Sequence, residues 1–137
     1  MKIPKLRYII SIVSFAVIMV LLHACMTFRM SEKEIARHFK KKNITVKQDA
    51  IKIDKRTQHF VATGKADSPT VVFVHGSPGS LSAFIDFLSD SLLLSRAHLV
   101  SIDRPGFGYS NFGQAEPSLK RQAALLLPLL ELRKQHR

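Results

Sequence analysis

Cysteine is nearly absent. Cys25 is the one thiol in 137 residues, so no disulfide can form within the chain. Acidic side chains are also scarce, ten Asp and Glu against 21 Lys and Arg, for a formal net charge of +11. Charge of that sign invites a nucleic-acid partner, but the basic clusters carry no interleaved aromatic residues to stack on or read bases. These clusters are Lys40-Lys41-Lys42, then Lys52, Lys55 and Arg56, then Arg133-Lys134-Gln135-His136-Arg137. They read as solvated faces, with some attraction to anionic lipid head groups near the N-terminus, and no nucleic-acid partner is expected. No group of His, Cys, Asp and Glu has metal-ligand spacing, so no metal is expected, and no cofactor is expected either. With 46% apolar and 23% charged residues the composition is globular, and the length suits at most one domain.

Charge is missing altogether from Tyr8 to Ala24, a run that follows Lys2, Lys5 and Arg7 and is broken only by Ser11, Ser14 and His23. This is a targeting or anchoring segment, at the lower edge of the roughly 17–25 residues that span a bilayer as a helix. Leu22-His23-Ala24-Cys25 is similar to a bacterial lipoprotein signal, in which a small residue precedes a cysteine that becomes lipidated. Leu22 and Ala24 fit, and His23 is an unusual occupant. Cys25 is therefore a lipidation candidate. Three alternatives stay open: an exported lipoprotein, an uncleaved N-terminal anchor with basic residues on both flanks, and a palmitoylated or buried Cys25. Each makes membrane lipid a partner. The segment takes residues 1–25, and a linker with a short helix takes residues 26–43.

In that linker, Ser31-Glu32-Lys33-Glu34 has the spacing of a capping box and predicts a helix to about Lys41, with Ile35, Ala36 and Phe39 on its apolar side. From residue 44 the pattern changes. Ile44 and Val46, Ile51 and Ile53, then Phe60 and Val61 alternate with polar residues and predict two antiparallel strands. Thr70 to Val74, apolar and β-branched, predicts a central strand covered on both faces. Phe84, Ile85, Phe87, Leu88 and Leu92 recur at helical spacing, with Ser80 or Ser82 as cap. Ala97 to Ile102 predicts another strand, and Ser118 to about Lys134 another helix, kinked or split by Pro128. The order β, β, β, α, β, α predicts an α/β fold with a mostly parallel sheet and helices on both faces. Ligands of such sheets gather at the carboxyl ends of the strands, which is where the loops from His75 to Gly79 and from Asp103 to Gly108 fall.

His75-Gly76-Ser77-Pro78-Gly79 after the third strand and Asp103-Arg104-Pro105-Gly106-Phe107-Gly108-Tyr109-Ser110 after the fourth together resemble the α/β-hydrolase fold family. The resemblance covers about Val46 to Glu131, the first half of the family's domain, and residues 44–137 read as a partial domain of that kind. It implies a hydrolase, and a small acyl substrate for the full-length protein, without saying which. It also implies an oxyanion hole. Gly76 allows a close backbone approach, and the N–H of Ser77 is the expected first donor. Pro78 and Gly79 shape that loop, the former with a peptide bond that sequence leaves as cis or trans. His75 is expected to be structural, bonding neighbouring loops. Asp103 is expected to fix its loop by accepting backbone N–H groups or by pairing with Arg104, while Pro105, Gly106 and Gly108 shape the turn.

The family's nucleophile follows on a fifth strand in a Gly-x-Ser-x-Gly elbow, with an acid and a histidine later. That elbow is missing. The nearest match, Gly108-Tyr109-Ser110-Asn111-Phe112, lacks the final glycine, and a triad improvised from His75, Asp103 and Ser110 has nothing to fix its geometry. The apolar third strand would be left with a bare edge. The expectation is a fragment, itself inactive, of a gene product of roughly 250–300 residues. Three functions compete: a membrane-associated serine hydrolase of an ester, amide or related acyl bond; an aspartate-nucleophile hydrolase of the epoxide hydrolase or dehalogenase type; and a non-catalytic membrane or binding protein that keeps half the fold.

Overall fold

The computed structural model describes the backbone of residues 5–25 and 28–132 and the side chains of residues 8–22 and 28–130. The charge-free run forms helix α1, Lys5–Cys25. Its large apolar side chains from Tyr8 to Leu22 are exposed all round, so it has no polar face to offer water. Among the described residues, no helix is long and apolar enough to cross a membrane. The side chain of Cys25 and the basic tail Arg133 to Arg137 lie outside the described residues.

Helix α2, Glu32–Lys41, begins where the capping box requires. Ser31 Oγ accepts from the Glu34 N–H at 3.3 Å, and the Ser31 N–H donates to Glu34 Oε2 at 2.7 Å. The Ser31 N–H and, second, the Ser31 hydroxyl, which also donates to Oε2 at 2.7 Å, hold the Glu34 carboxyl below its ordinary range, because the charged form is the better acceptor. Ile35 and Phe39 are buried and pin α2 to the sheet.

Four strands follow: β1, Val46–Ile53; β2, Arg56–Thr63; β3, Thr70–Val74; and β4, His98–Ile102. They form one sheet in the order β1-β2-β4-β3. The β1–β2 and β2–β4 pairs are antiparallel, and β3–β4 is parallel. Strand β3 therefore lies at the edge of the described sheet. Val71 and Val74 are 41% and 45% exposed, so the two-sided cover expected of this strand is not found, while the expected bare edge is. Local pattern made β3 apolar; its place in the sheet depends on which distant strands pair with it.

Cores lie on both sheet faces. On one, Val61 and Leu99 pack with Ile35 and Phe39 of α2 and with Leu81, Ile85 and Leu88. On the other, Phe60, Ala62, Val100 and Ile102 pack with Leu129.

The helix expected after β3 is broken into three pieces, and competing caps explain why. Residues Leu81–Phe84 and Phe87–Ser89 form 3-10 turns, and only Ser91–Arg96, helix α3, is α-helical. Ser80 caps the first turn, and Asp90 caps α3 by accepting from the Leu93 N–H at 2.9 Å, which ends the earlier turn at the same point. The last predicted helix divides into α4, Leu119–Ala124, and α5, Leu127–Leu132. Pro128 has no N–H for the Ala124 carbonyl, and α4 stops at that residue.

Candidate functional site

The loops after β3 and β4 meet at the carboxyl ends of these strands, as parallel neighbours require. Between them lies a cleft of about 280 Å³ lined by Pro78, Gly79, Gly106, Phe107 and Phe112, among others. A second cleft of about 280 Å³ is walled by Val74, Ile102, Arg104, Pro105 and apolar residues of α4 and its C-terminal end.

In the first loop Gly76 faces open space, where an added Cβ would meet nothing within 4 Å, and Ser77 is exposed ahead of a cis bond to Pro78. Among the described residues, no acceptor is paired with the Ser77 N–H. Gly79 is close to His75, and a Cβ there would sit 3.2 Å from Nδ1. His75 is itself buried. Its Nε2 accepts from the Arg104 N–H at 3.0 Å, so the proton is on Nδ1, which donates to the Gly76 carbonyl at 2.7 Å. Burial holds its pKa below the ordinary 6.5, against the Gly76 bond and the Asp103 charge, which pull it up. A neutral ring whose free nitrogen already holds a backbone N–H has no lone pair left for a nucleophile. It links the loops instead.

Asp103 is fully buried. Oδ1 accepts from the Leu81 N–H at 2.8 Å, and Oδ2 accepts from the Tyr109 N–H at 2.9 Å and from His59 Nδ1 at 3.1 Å. A carboxylate cannot donate, so His59 carries its proton on Nδ1. The partner of Asp103 is thus His59 rather than Arg104. Arg104 turns to the Gln122 side chain at 3.0 Å and to the His75 carbonyl at 3.4 Å, over the ring of Phe107. Gly108 (φ +52°) leaves room for the carboxylate, since a Cβ there would lie 2.1 Å from Asp103. Gly106 (φ +91°) does the same for Ala115. Pro105, just before Gly106, is buried.

Ser110 is fully buried as well, its Oγ accepting from the His59 N–H at 2.9 Å. His75, Asp103 and Ser110 are therefore three anchors in one loop assembly, each with its polar atoms occupied, and not a nucleophile with its base.

Sequence reasoning missed the contacts that β2 and the segment before α2 make with this region. Residues Arg56 to His59 of β2 extend past the ladder with β4, and the loop after β4 replaces the missing strand partner. The Thr57 N–H donates to Asn111 Oδ1 at 2.7 Å, Gln58 Nε2 to the Asp103 carbonyl, and Arg56 to the Gln114 carbonyl at 2.6 Å. Gln58 and His59 had a visible signal: polar residues where the strand alternation leads to buried ones. Arg29, whose Nη1 donates to the Gly108 carbonyl at 2.6 Å, had none. Among the described residues, no group of His, Cys, Asp and Glu is placed to hold a metal.

Neither a protein-family profile nor a curated protein sequence matches the chain. Solved structures do. Cfl2 of Burkholderia cenocepacia is similar at 30% identity with a TM-score of 0.53, over 65% of this chain and 30% of its own. The haloalkane dehalogenase DbeA of Bradyrhizobium elkani is similar at 25% identity with a TM-score of 0.50, over 62% and 30%. A membrane phospholipase A described as a bacterial virulence factor is similar at 20% identity with a TM-score of 0.54, over 83% and 37%. The chain thus spans about a third of the length of the structures it matches. These likenesses and the sheet order make the fold α/β, matching part of the α/β-hydrolase fold, with hydrolases among its structural neighbours.

Proposed function

We propose that this chain supplies the oxyanion side of a membrane-associated α/β-hydrolase that cleaves an ester, amide or related acyl bond. The observation that carries this reading is the Ser77 N–H, exposed at the carboxyl end of β3 and without an acceptor among the described residues, beside a Gly76 that leaves its approach open. A preorganised backbone donor of this kind stabilises the negative charge that develops on a carbonyl oxygen under attack. Its position is fixed from behind: His75 ties its loop to Arg104, and Asp103 ties Leu81 to Tyr109. The hydroxyl of Ser77 has no base beside it among the described residues and takes no covalent part. The nucleophile, the acid and the catalytic histidine belong to sequence of the whole protein that these residues do not include.

Membrane association is part of the proposal and rests on α1, whose apolar circumference has no cover among the described residues. Lipidation of Cys25 or retention of the helix would each provide it.

A second reading has its own support. The likeness to a haloalkane dehalogenase at 25% identity supports an aspartate-nucleophile hydrolase as the alternative, and the loop geometry suits both. Labelling with a fluorophosphonate separates them. The whole protein, detected with an antibody raised against residues 31–137, is expected to be labelled at a serine outside these residues. The 137-residue chain is expected to stay unlabelled. A folded, unlabelled whole protein that dehalogenates or opens epoxides would favour the aspartate reading, and labelling of Ser77 or Ser110 would overturn both.

A further inference from the structure

The short segment between α1 and α2 is bound to both loops of the crevice. Ser80 Oγ donates to the Phe28 carbonyl at 2.8 Å, the Met30 N–H donates to Ser82 Oγ at 3.3 Å, and Arg29 reaches the Gly108 carbonyl. The guanidinium carbon of Arg29 also lies 4.3 Å from the ring centre of Tyr109 and 5.9 Å from that of Phe112. Three consecutive residues thus grip the end of the first loop and the middle of the second.

Covalent reach gives this grip its meaning. Helix α1 ends at Cys25, three residues before Phe28, and three residues of chain extend at most about 11 Å. Whatever holds residue 25 at a bilayer holds the carboxyl end of the sheet beside it. This holds equally for a retained helix and for a lipid on Cys25. The surface at that end has the matching chemistry. Phe28 and Phe112 are 58% and 47% exposed, with the exposed Arg29 between them, so two apolar rings flank a cation that can meet a lipid phosphate. Gly64 and Ala97, which touch each other, mark the opposite end of the sheet, next to α3.

We infer that Phe28, Arg29 and Phe112 form a rim that docks on the head-group layer of a bilayer containing anionic lipid, so that the crevice opens toward the membrane. The inference rests on the membrane association proposed above, and the test keeps the two apart.

The chain has no tryptophan, so each introduced indole is a clean reporter. Phe112→Trp and Phe28→Trp report the rim, and Leu92→Trp, an exposed apolar position on α3, reports the far end. Each variant of the 137-residue chain is reconstituted into phosphatidylcholine–phosphatidylglycerol vesicles with and without bromine on the upper acyl chain. Groups seated in the interface lie within about 5–10 Å of the head-group boundary, so both rim reporters should lose about half their emission or more to bromine and Leu92→Trp about a tenth or less. Quenching of Leu92→Trp above the rim reporters, or equal weak quenching of all three in vesicle-bound protein, overturns the docking. Protein that fails to float with the vesicles overturns the membrane association itself. Two rim reporters guard against one variant misfolding.

Discussion

Asp103 is the residue whose loss should be felt most widely, and the size of the effect can be worked out from its bonds. Asp103→Ala leaves three donors without a partner: the buried N–H of Leu81, the part-buried N–H of Tyr109 and the buried Nδ1–H of His59. Each orphaned donor costs about 1–3 kcal/mol, and since the three share one site the sum is non-additive, so about 4–6 kcal/mol is expected. Domains of this size hold about 5–15 kcal/mol in total, so this variant should lose a large share of its stability. Asp103→Asn is the discriminating change. Its Oδ1 can still accept from Leu81, but its amide N–H₂ meets the Tyr109 N–H donor to donor, while His59 can shift its proton to Nε2 and accept. One lost backbone bond predicts about 1–3 kcal/mol. With a urea slope near 1 kcal/mol/M, the midpoint should fall by about 1–3 M for Asn and by about 4 M or more for Ala. The assay is urea unfolding of the full chain in a mild detergent, followed by far-UV circular dichroism. Midpoints for both variants within about 0.5 M of the parent would refute the view that this carboxylate holds the loops together.

Gly108→Ala should destabilise by at least about 2 kcal/mol, because it adds a Cβ 2.1 Å from the Asp103 carboxylate at a positive φ; a melting shift under about 3 °C would contradict the geometry. For His75 the folded pKa is below the unfolded 6.5, so at falling pH the unfolded state takes up the proton first. Its contribution is complete above about pH 6.5 and is lost as pH falls through the depressed folded value. His75→Gln should flatten the dependence of the urea midpoint on pH between about 7 and 5, and an unchanged slope would show that the ring does not titrate as described.

What was legible from sequence is local in cause. The capping box at Ser31 and Glu34 could be read because both partners lie within one turn, and the helix break before Pro128 because one missing N–H decides it. The glycine and proline loops could be read because few residue types tolerate their backbone. The broken helix after β3 was hidden by a genuine apolar period, although Asp90 followed by Leu93 carries an ordinary cap signal. The bare edge of β3 was read through the family resemblance and not from the strand's own residues, which suggested cover on both faces; the pairing of His59 with Asp103 was not legible, because contacts between distant segments settle it. A single histidine in an alternating strand has no spacing that reveals its partner. The reach of Arg29 to Gly108, across 79 positions of chain, is the extreme case.

The attachment of the Asp103 loop to β2 has a consequence for anyone who would transplant it. Thr57, Gln58 and His59 in succession each donate to a residue between Asp103 and Asn111, so the loop's shape is encoded partly in a strand that precedes it by more than forty positions. A graft that exchanges only the contiguous segment would import a curve without its mould. The transferable unit is discontinuous: the loop together with the first half of β2.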